Sequence, residues 1–302
     1  MSYKKIKAAF MLVIAALVWG AAMSFQSEGM EHVGPLTFQA VRFMIGGTVL
    51  LPAVYFLGKK DPGESEPNYN PKGVFIGGAI CGTALMVACT LQQYGIVYTT
   101  VGKAGFLTSL YIIIIPILGV FLRKRIGLNI WVSVLLAMVG MYLLCMKESL
   151  VLSKGDTLVF VCAFVFSLQI MAVDKYTSIY NALKLSCIQF YVCGILSCIV
   201  MFIFEKPILS DILNAWVPIL YTGACSCGIG YTFQSIAQKD LDPSLASILM
   251  SLESVFAALF GWILIGQKMS FREIVGCVIM FAAIIIAQVF EPKEDNKKPI
   301  KN

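Results

Sequence analysis

The chain has 302 residues, of which 59% are hydrophobic and only 13% charged, and its mean hydropathy is +0.83. A soluble domain carries about 25% charged residues, so this composition excludes a soluble globular protein and predicts a polytopic membrane protein. The formal net charge of +6 is explained by basic loops beside membrane spans and calls for no nucleic-acid partner.

Ten apolar runs follow one another along the chain, each close to the about 20 residues that cross a bilayer as a helix. The runs are continuous rather than alternating with a period of two, which favours helices over barrel strands. The predicted spans are 8–25, 35–57, 73–94, 102–122, 128–146, 156–174, 184–204, 212–234, 244–265 and 271–290.

The connections between these spans are short and leave no room for a soluble domain. The longest, Gly58 to Lys72, is rich in Pro, Asn and acidic residues and predicts a flexible loop, and the polar tail from 291 to 302 is predicted to be disordered. The first run is long enough to span, so no cleavable signal is predicted.

All ten cysteines lie in or beside apolar runs, which favours packing roles over disulfides; no metal site or cofactor is predicted.

The distribution of basic residues predicts the orientation. With the N-terminus in the cytoplasm, sixteen Lys and Arg residues fall on cytoplasmic segments and six on external ones, with Arg42 inside a span. This bias places both termini in the cytoplasm and requires an even number of spans.

Part of the chain recurs in register. The stretch 90–122 matches 232–264 at an offset of 142, and spans one and two match spans six and seven more weakly at an offset of 147. Five spans in each half is an odd number, so the second half is inverted relative to the first. We therefore predict two inverted five-helix repeats around a central cavity, residues 1–150 and 151–290, followed by a cytoplasmic tail, 291–302.

Three short motifs carry a resemblance to a known family. Val18-Trp19-Gly20, Ala40-Val41-Arg42-Phe43 and Ser251-Leu252-Glu253-Ser254-Val255-Phe256 resemble the EamA family of the drug/metabolite transporter superfamily, and the resemblance extends over about 8–290. Ser254 departs from the family pattern, which has proline there. The resemblance implies a ten-helix carrier with a central cavity, often one that exports amino acids or other small metabolites.

Two charged residues lie inside predicted spans. Glu253 would sit about 13 Å deep in an apolar core about 30 Å thick, where it is either a proton-linked or cavity-lining carboxylate or a structural one bonded to a helix break or backbone amides. Arg42 either attracts a substrate carboxylate, forms an outer gate with Glu28 or Glu31, or extends its stem to the interface.

Polar and aromatic residues complete the candidate cavity. Gln92 and Gln234 are repeat counterparts and are either gate residues or helix caps; Ser109 and Ser251 are another such pair, which either touch substrate or allow close helix approach. Pro116 and Pro218 are expected to bend their spans. The remaining candidates for the cavity wall are Trp19, Tyr94, Tyr111, Gln169 and Tyr231.

A secondary carrier working by alternating access fits these features best. No P-loop motif is present, which argues against ATP-driven transport by this chain, and Glu253 without an intramembrane histidine argues against an enzyme. The predicted cavity holds one cation, Arg42, and Lys103 lies near its mouth. A phosphate needs several cationic partners, so this inventory favours neutral or aromatic amino acids over phosphorylated solutes. A lipid flippase or scramblase, or a carrier of nucleobases or drugs, is the alternative. We expect a bacterial-type plasma membrane location, allow for proton coupling, and leave the oligomeric state open.

Overall fold

A computed structural model describes residues 3–57, 70–99, 101–124, 126–145, 153–265 and 269–289. Within these ranges the regular structure is helical and contains no strand, in agreement with the predicted all-α fold. The predicted flexible loop lies outside the described residues except at its last three positions, and so does the whole predicted tail, 291–302.

The helices follow one another in an order close to that of the predicted spans. Those of the first half are α1 Tyr3–Gly29, α2 Pro35–Leu57, α3 Pro71–Tyr98, α4 Val101–Thr108, α5 Tyr111–Phe121 and α6 Leu128–Cys145. Those of the second half are α7 Lys154–Thr177, α8 Ala182–Phe204, α9 Leu209–Asn214, α10 Trp216–Leu220, a π-helix Tyr221–Tyr231, α11 Thr232–Ala237, α12 Pro243–Met250, α13 Leu252–Ile265 and α14 Phe271–Val289.

The eighth predicted span differs from the others in its winding. Among the described residues, nine helical stretches are long and apolar enough to cross a membrane, rather than the ten expected. Span 212–234 is instead built from α10, the π-helix and α11, which follow one another without a gap. Pro218 lies in the first turn of this assembly, where a missing backbone N–H costs little.

Spans four and nine are each broken at the same position of the repeat. α4 gives way to α5 at Ser109-Leu110, and α12 gives way to α13 at Ser251, which lies 142 residues after Ser109. The backbone tightens there, since Ile112 N donates to Ser109 O at 3.0 Å and Ser254 N donates to Ser251 O at 3.2 Å. Pro116 lies inside α5, six residues beyond Leu110, so the break in span four does not occur at the proline.

The most extensive helix contacts join the first half of the chain to the second. α3 packs on α7 and α8, α2 on α8, α1 on α13 and the π-helix, and α6 on α14. The main apolar cluster accordingly combines side chains of both halves, among them Leu12, Phe43, Leu85, Phe190 and Val255. The core therefore forms where the two sequence halves meet.

Glycines bring some of these helix backbones into direct contact. A Cβ atom at Gly140 would lie 2.8 Å from the carbonyl oxygen of Gly276, and one at Gly276 would lie 2.6 Å from the carbonyl oxygen of Gly140. At Gly20, a Cβ atom would lie 2.8 Å from the carbonyl oxygen of Glu253. Since real Cβ atoms do not approach backbone this closely, these crossings require glycine, as small-residue contacts between membrane helices do.

We expect Gly140→Ala and Gly276→Ala each to destabilise the α6–α14 crossing, because overpacking a close contact costs about 1–3 kcal/mol. The measurement is thermal unfolding in detergent, where each change should lower Tm by at least about 2 °C. Gly105→Ala is the matched control, since its Cβ would lie 4.0 Å from its nearest neighbour, Ser254 Oγ. Equal Tm values for all three variants and the parent would contradict the proposed backbone contact.

Candidate functional site

A cavity lies among the helices. Its empty space of about 550 Å³ includes space open to solvent, and the volume that a water-sized sphere can occupy is about 50 Å³. The residues that line it are Trp19, Met23, Gln26, Arg42, Gln92, Thr108, Tyr111, Phe166, Gln169, Ile170, Ser226, Tyr231, Gln234, Met250 and Glu253.

The two halves of the chain contribute to this cavity in pairs. Ten of the fifteen lining residues are repeat counterparts of one another. The pairs at offset 147 are Trp19 with Phe166 and Met23 with Ile170, and those at offset 142 are Gln92 with Gln234, Thr108 with Met250 and Tyr111 with Glu253. The cavity therefore lies at the shared centre of the repeat, where inverted-repeat transporters hold their substrates.

Arg42 supplies the one cation in the cavity wall. It is 2% exposed, and its guanidinium carbon lies 5.0 Å from the centroid of the Phe43 ring and 5.6 Å from that of Phe38. The Gln93 amide, with its oxygen facing the guanidinium, accepts from both terminal nitrogens at 3.3 Å, and Nε has no partner. A side chain buried in this way does not extend to the membrane interface, so that interpretation is wrong.

No carboxylate of the described residues forms an ion pair with Arg42. The predicted gate between Arg42 and Glu28 or Glu31 is therefore absent from this structure. The positive charge is stabilised by an amide oxygen and by aromatic ring faces, which satisfy it less completely than a carboxylate does. Arg42 is thus positioned to accept an anionic group from a ligand in the cavity.

Glu253 supplies the carboxylate. It lies in the first turn of α13, directly after the break at Ser251, and its side chain is 9% exposed. Among the described residues, its carboxylate makes no hydrogen bond and no ion pair, with Arg42 or with any other group. The expected structural bond to a helix break or backbone amides is therefore not formed, and the carboxylate faces the cavity.

The aromatic part of the wall is held together by the π-helix. Trp19 Nε1 donates to the carbonyl oxygen of Ser226 at 3.2 Å, and the ring centroids of Trp19 and Tyr231 lie 4.9 Å apart. Gly230 leaves room for this arrangement, because a Cβ atom there would overlap the indole of Trp19. π-Helical turns are common at functional sites, and here one orients two large rings toward the same space.

Four glutamines place amides around the cavity. Gln92 Nε2 donates to Thr108 Oγ1 at 3.2 Å, and Gln169 Nε2 donates to Gln189 Oε1 at 3.3 Å, which leaves Gln169 Oε1 without a partner. Gln234 is buried in α11, and Gln26 lies against Gln93. The interpretation of Gln92 as a helix cap is wrong. Gln92 lies six residues before α3 ends, and its amide bonds the side chain of Thr108 rather than a backbone group.

Three of the eleven candidate residues do not line the cavity. Tyr94 packs against the apolar cluster of Leu36, Ala40 and Met201, because the direction of its side chain on α3 differs from that of Gln92. Ser109 is fully buried at the break in span four, and its hydroxyl has no partner. The Ser251 hydroxyl is used locally, donating to the carbonyl oxygen of Ile248 at 2.7 Å. The remaining eight, Trp19, Arg42, Gln92, Tyr111, Gln169, Tyr231, Gln234 and Glu253, do line it.

Seven other lining residues were not among the candidates. They are Met23, Gln26, Thr108, Phe166, Ile170, Ser226 and Met250. The repeat itself held a usable signal, since applying the offset of 147 to Trp19 gives Phe166. Ser226 carried no such signal, because its carbonyl oxygen rather than its side chain bonds Trp19. In the described ranges, no group of three or more His, Cys, Asp or Glu side chains is placed to hold a metal ion.

Comparisons with known proteins agree with this architecture. Over 287 residues the chain is 28% identical to an uncharacterized transporter of Archaeoglobus fulgidus, covering 95% of this chain and 87% of that one. Over 312 residues it is 23% identical to an uncharacterized transporter of Clostridium kluyveri, covering 98% of both. A protein of known crystal structure, 18% identical, superposes with a TM-score of 0.76 over 93% of this chain and 96% of its own.

The family model of the EamA-like transporters matches the chain twice, over residues 6–146 and 153–288. These two matches together cover nearly all of the helical region, and they meet between α6 and α7. The protein therefore belongs to the EamA-like transporter family, whose members are multi-pass membrane transporters.

Proposed function

We propose that the protein is a secondary transporter of zwitterionic amino acids with apolar or aromatic side chains, and that it works by alternating access. The observation that carries this proposal is the presence of Arg42 and Glu253 in one buried cavity without an ion pair between them. An unpaired charge in the membrane interior costs at least about 2.5 kcal/mol. A ligand carrying both opposite charges relieves both costs at once.

An amino acid fits this arrangement in one orientation. Its carboxylate binds the guanidinium of Arg42, which offers two parallel donors, and its ammonium group binds the carboxylate of Glu253. A phosphorylated solute fits less well, because Arg42 is the one cation among the lining residues and a phosphate dianion would also face Glu253.

The rest of the wall supports an apolar or aromatic side chain. Trp19, Tyr111, Phe166 and Tyr231 present ring surfaces to the cavity, and Met23, Ile170 and Met250 add flexible apolar ones. Aromatic pairs contribute about 0.5–1.5 kcal/mol beyond the area they bury. Such a wall favours leucine-like or aromatic substrates over small polar ones.

Proton coupling follows from the same carboxylate. Glu253 is neutralised either by a proton or by the ammonium group of the substrate, so the two compete for one site. We propose proton–substrate exchange on this basis, with export as the direction, which is what the family resemblance implies. The distribution of basic residues predicts in addition that both termini face the cytoplasm, and we propose a plasma membrane location.

Counterflow in liposomes tests the proposal as a whole. Vesicles with purified protein are loaded with unlabelled phenylalanine or leucine, and transient accumulation of the labelled form is measured. We expect saturable counterflow for these substrates and little for phosphorylated sugars. Equal rates for every solute without saturation, or translocation of labelled phospholipid with no amino-acid counterflow, would refute the amino-acid carrier.

Arg42→Met is expected to weaken binding of the amino acid by about 10–100-fold, because hydrogen bonds to charged groups contribute about 1.5–3 kcal/mol. The half-saturating concentration in counterflow measures this. Binding of the decarboxylated amine of the same substrate should not change, since it has no group for Arg42. Arg272→Met is the control variant, because Arg272 also stacks on an aromatic ring, Tyr142, but lies exposed outside the cavity. Equal losses for both ligands would show that Arg42 has only a structural role.

Glu253→Gln is expected to remove the response of transport to an imposed pH gradient, because the amide cannot exchange a proton. In the parent protein an inward proton gradient should accelerate export, whereas in the variant the rates with and without the gradient should coincide. Glu28→Gln, at an exposed acid near the end of α1, should retain the response. A pH-gradient response that survives in Glu253→Gln would exclude Glu253 as the proton carrier.

A further inference from the structure

Two carboxylates outside the cavity join the halves of the chain at one end of the molecule. We define the α2 end as the end where α2, α4 and α7 begin and α1, α3 and α8 end. There, Glu205 at the end of α8 accepts from Leu36 N at 2.9 Å, Thr37 N at 2.8 Å and Thr37 Oγ1 at 2.7 Å. The start of α2 is therefore capped by a residue from the other half.

The second carboxylate is Asp156, in the first turn of α7. It accepts from Lys103 Nζ at 3.1 Å and from the hydroxyl of Thr99, and both of these residues belong to the first half. Asp156 is 1% exposed at its side chain and Lys103 is 11% exposed. Ser153, the residue that caps α7, also donates to the carbonyl oxygen of Tyr98 at 3.4 Å.

The helix that corresponds to α2 in the repeat, α8, begins with a different kind of cap. At offset 147, Leu36 and Thr37 correspond to Leu183 and Lys184, which begin α8 at the opposite end of the molecule. Their backbone amides are capped locally, by Asn181 Oδ1 at 3.0 and 3.1 Å. The counterpart of Asn181 is Gly34, which has no side chain.

The carboxylate of Glu205 occupies the space left by Gly34. A Cβ atom at Gly34 would overlap Glu205 Cδ and Oε2. In α8 the cap is thus local, whereas in α2 the local cap is missing and the opposite half supplies it. The replacement converts a contact within one half into a contact between halves.

The contacts of Asp156 also differ from those at the corresponding positions of the repeat. At offset 147 Asp156 corresponds to Ala9, and at offset 142 Thr99 and Lys103 correspond to Leu241 and Leu245. Ala9, Leu241 and Leu245 are all buried in the main apolar cluster. One end of the molecule is therefore joined by charged and hydrogen-bonded groups at the positions where the other end has apolar packing.

We propose that Glu205 and Asp156 are gating residues of the transport cycle, and that their bonds to Leu36, Thr37, Thr99 and Lys103 hold the α2 end closed. Identical inverted halves would give the states open at either end equal free energies. Among the described residues, the buried carboxylate contacts between the halves lie at this end, so they favour the state closed there. Opening the cavity at the α2 end requires that both carboxylates release the first half. This proposal depends on alternating access but not on the identity of the substrate.

An ion pair also joins the halves at the opposite end, but it differs in kind. Lys124 Nζ lies 3.4 Å from Asp174 Oδ2, and the two side chains are 42% and 24% exposed. Exposed pairs of this sort contribute about 0–1 kcal/mol and are screened by salt. The contacts of Glu205 and Asp156 are shorter and less exposed and include backbone amides, so each is expected to be stronger than this pair.

Hydrogen–deuterium exchange of the full-length protein tests the gate without a substrate. In Glu205→Gln, loss of the charged acceptor should shift the balance between the end-open states by about tenfold or more. Exchange should then increase at the α2 end, in α4 and in the first turns of α7, and decrease at the opposite end, in α11 and α12. Glu31→Gln, an exposed acid at the α2 end, is the control and should leave both ends unchanged.

The opposite sign of the two changes separates a gate from a simple helix cap. An increase confined to the first turn of α2 would show that Glu205 only caps that helix and would overturn the proposal. If Glu205→Gln does not fold, Thr37→Val and Lys103→Met take its place, because each removes one bonded partner of a carboxylate. The gate again requires that exchange increase at the α2 end and decrease at the opposite end. Failure of amino-acid counterflow would leave these exchange results unaffected, so the substrate proposal and the gate are tested separately.

Discussion

The cost of an unpaired charge in an apolar interior is the constraint on which this structure depends. The chain reduces that cost for most of its buried polar groups by bonding them to one another, as Gln92 does with Thr108 and Gln169 with Gln189. Asp156 is likewise fully bonded at the α2 end. Among the buried charged side chains of the described residues, Arg42 has no carboxylate partner and Glu253 has no hydrogen-bond partner, and both line the same cavity. The distribution of satisfied and unsatisfied charges therefore separates structural polar groups from those that a ligand can complete.

The repeat gives the protein its scaffold, and the two halves differ in the charged groups that they contribute. Paired positions line the cavity, yet each charge belongs to one member of a pair: Glu253 corresponds to Tyr111, and Arg42 corresponds to Gln189. The same holds at the ends of the molecule, where Gly34 and Glu205 replace a local cap of the kind that Asn181 forms. Under the proposed function, the paired cavity positions with unpaired charges would hold a dipolar ligand in one orientation.

Irregular backbone is concentrated around this cavity. The breaks at Ser109 and Ser251 and the π-helix from Tyr221 to Tyr231 all lie in the packed interior. Such backbone is tolerated at membrane depth where it is buried in protein or lines a cavity, because lipid cannot satisfy the freed groups. The counterpart of the π-helix in the first half is an uninterrupted part of α3, so the change in winding is specific to one half. It accompanies the aromatic contact between Trp19 and Tyr231.

The sequence by itself determined the membrane class, the helical fold, the family and the repeat, because each of these depends on composition, on the length of apolar runs or on residues at a fixed offset. It also singled out Arg42 and Glu253, since charges within apolar runs are conspicuous in a linear pattern. The tertiary structure decided which side chains meet. Tyr94 and Gln92 lie two positions apart on α3, yet only Gln92 reaches the cavity, because the two point in different directions around the helix. The contact of Glu205 with the start of α2 spans 168 residues from Thr37, and no local pattern marks a bond between chain segments that only folding brings together.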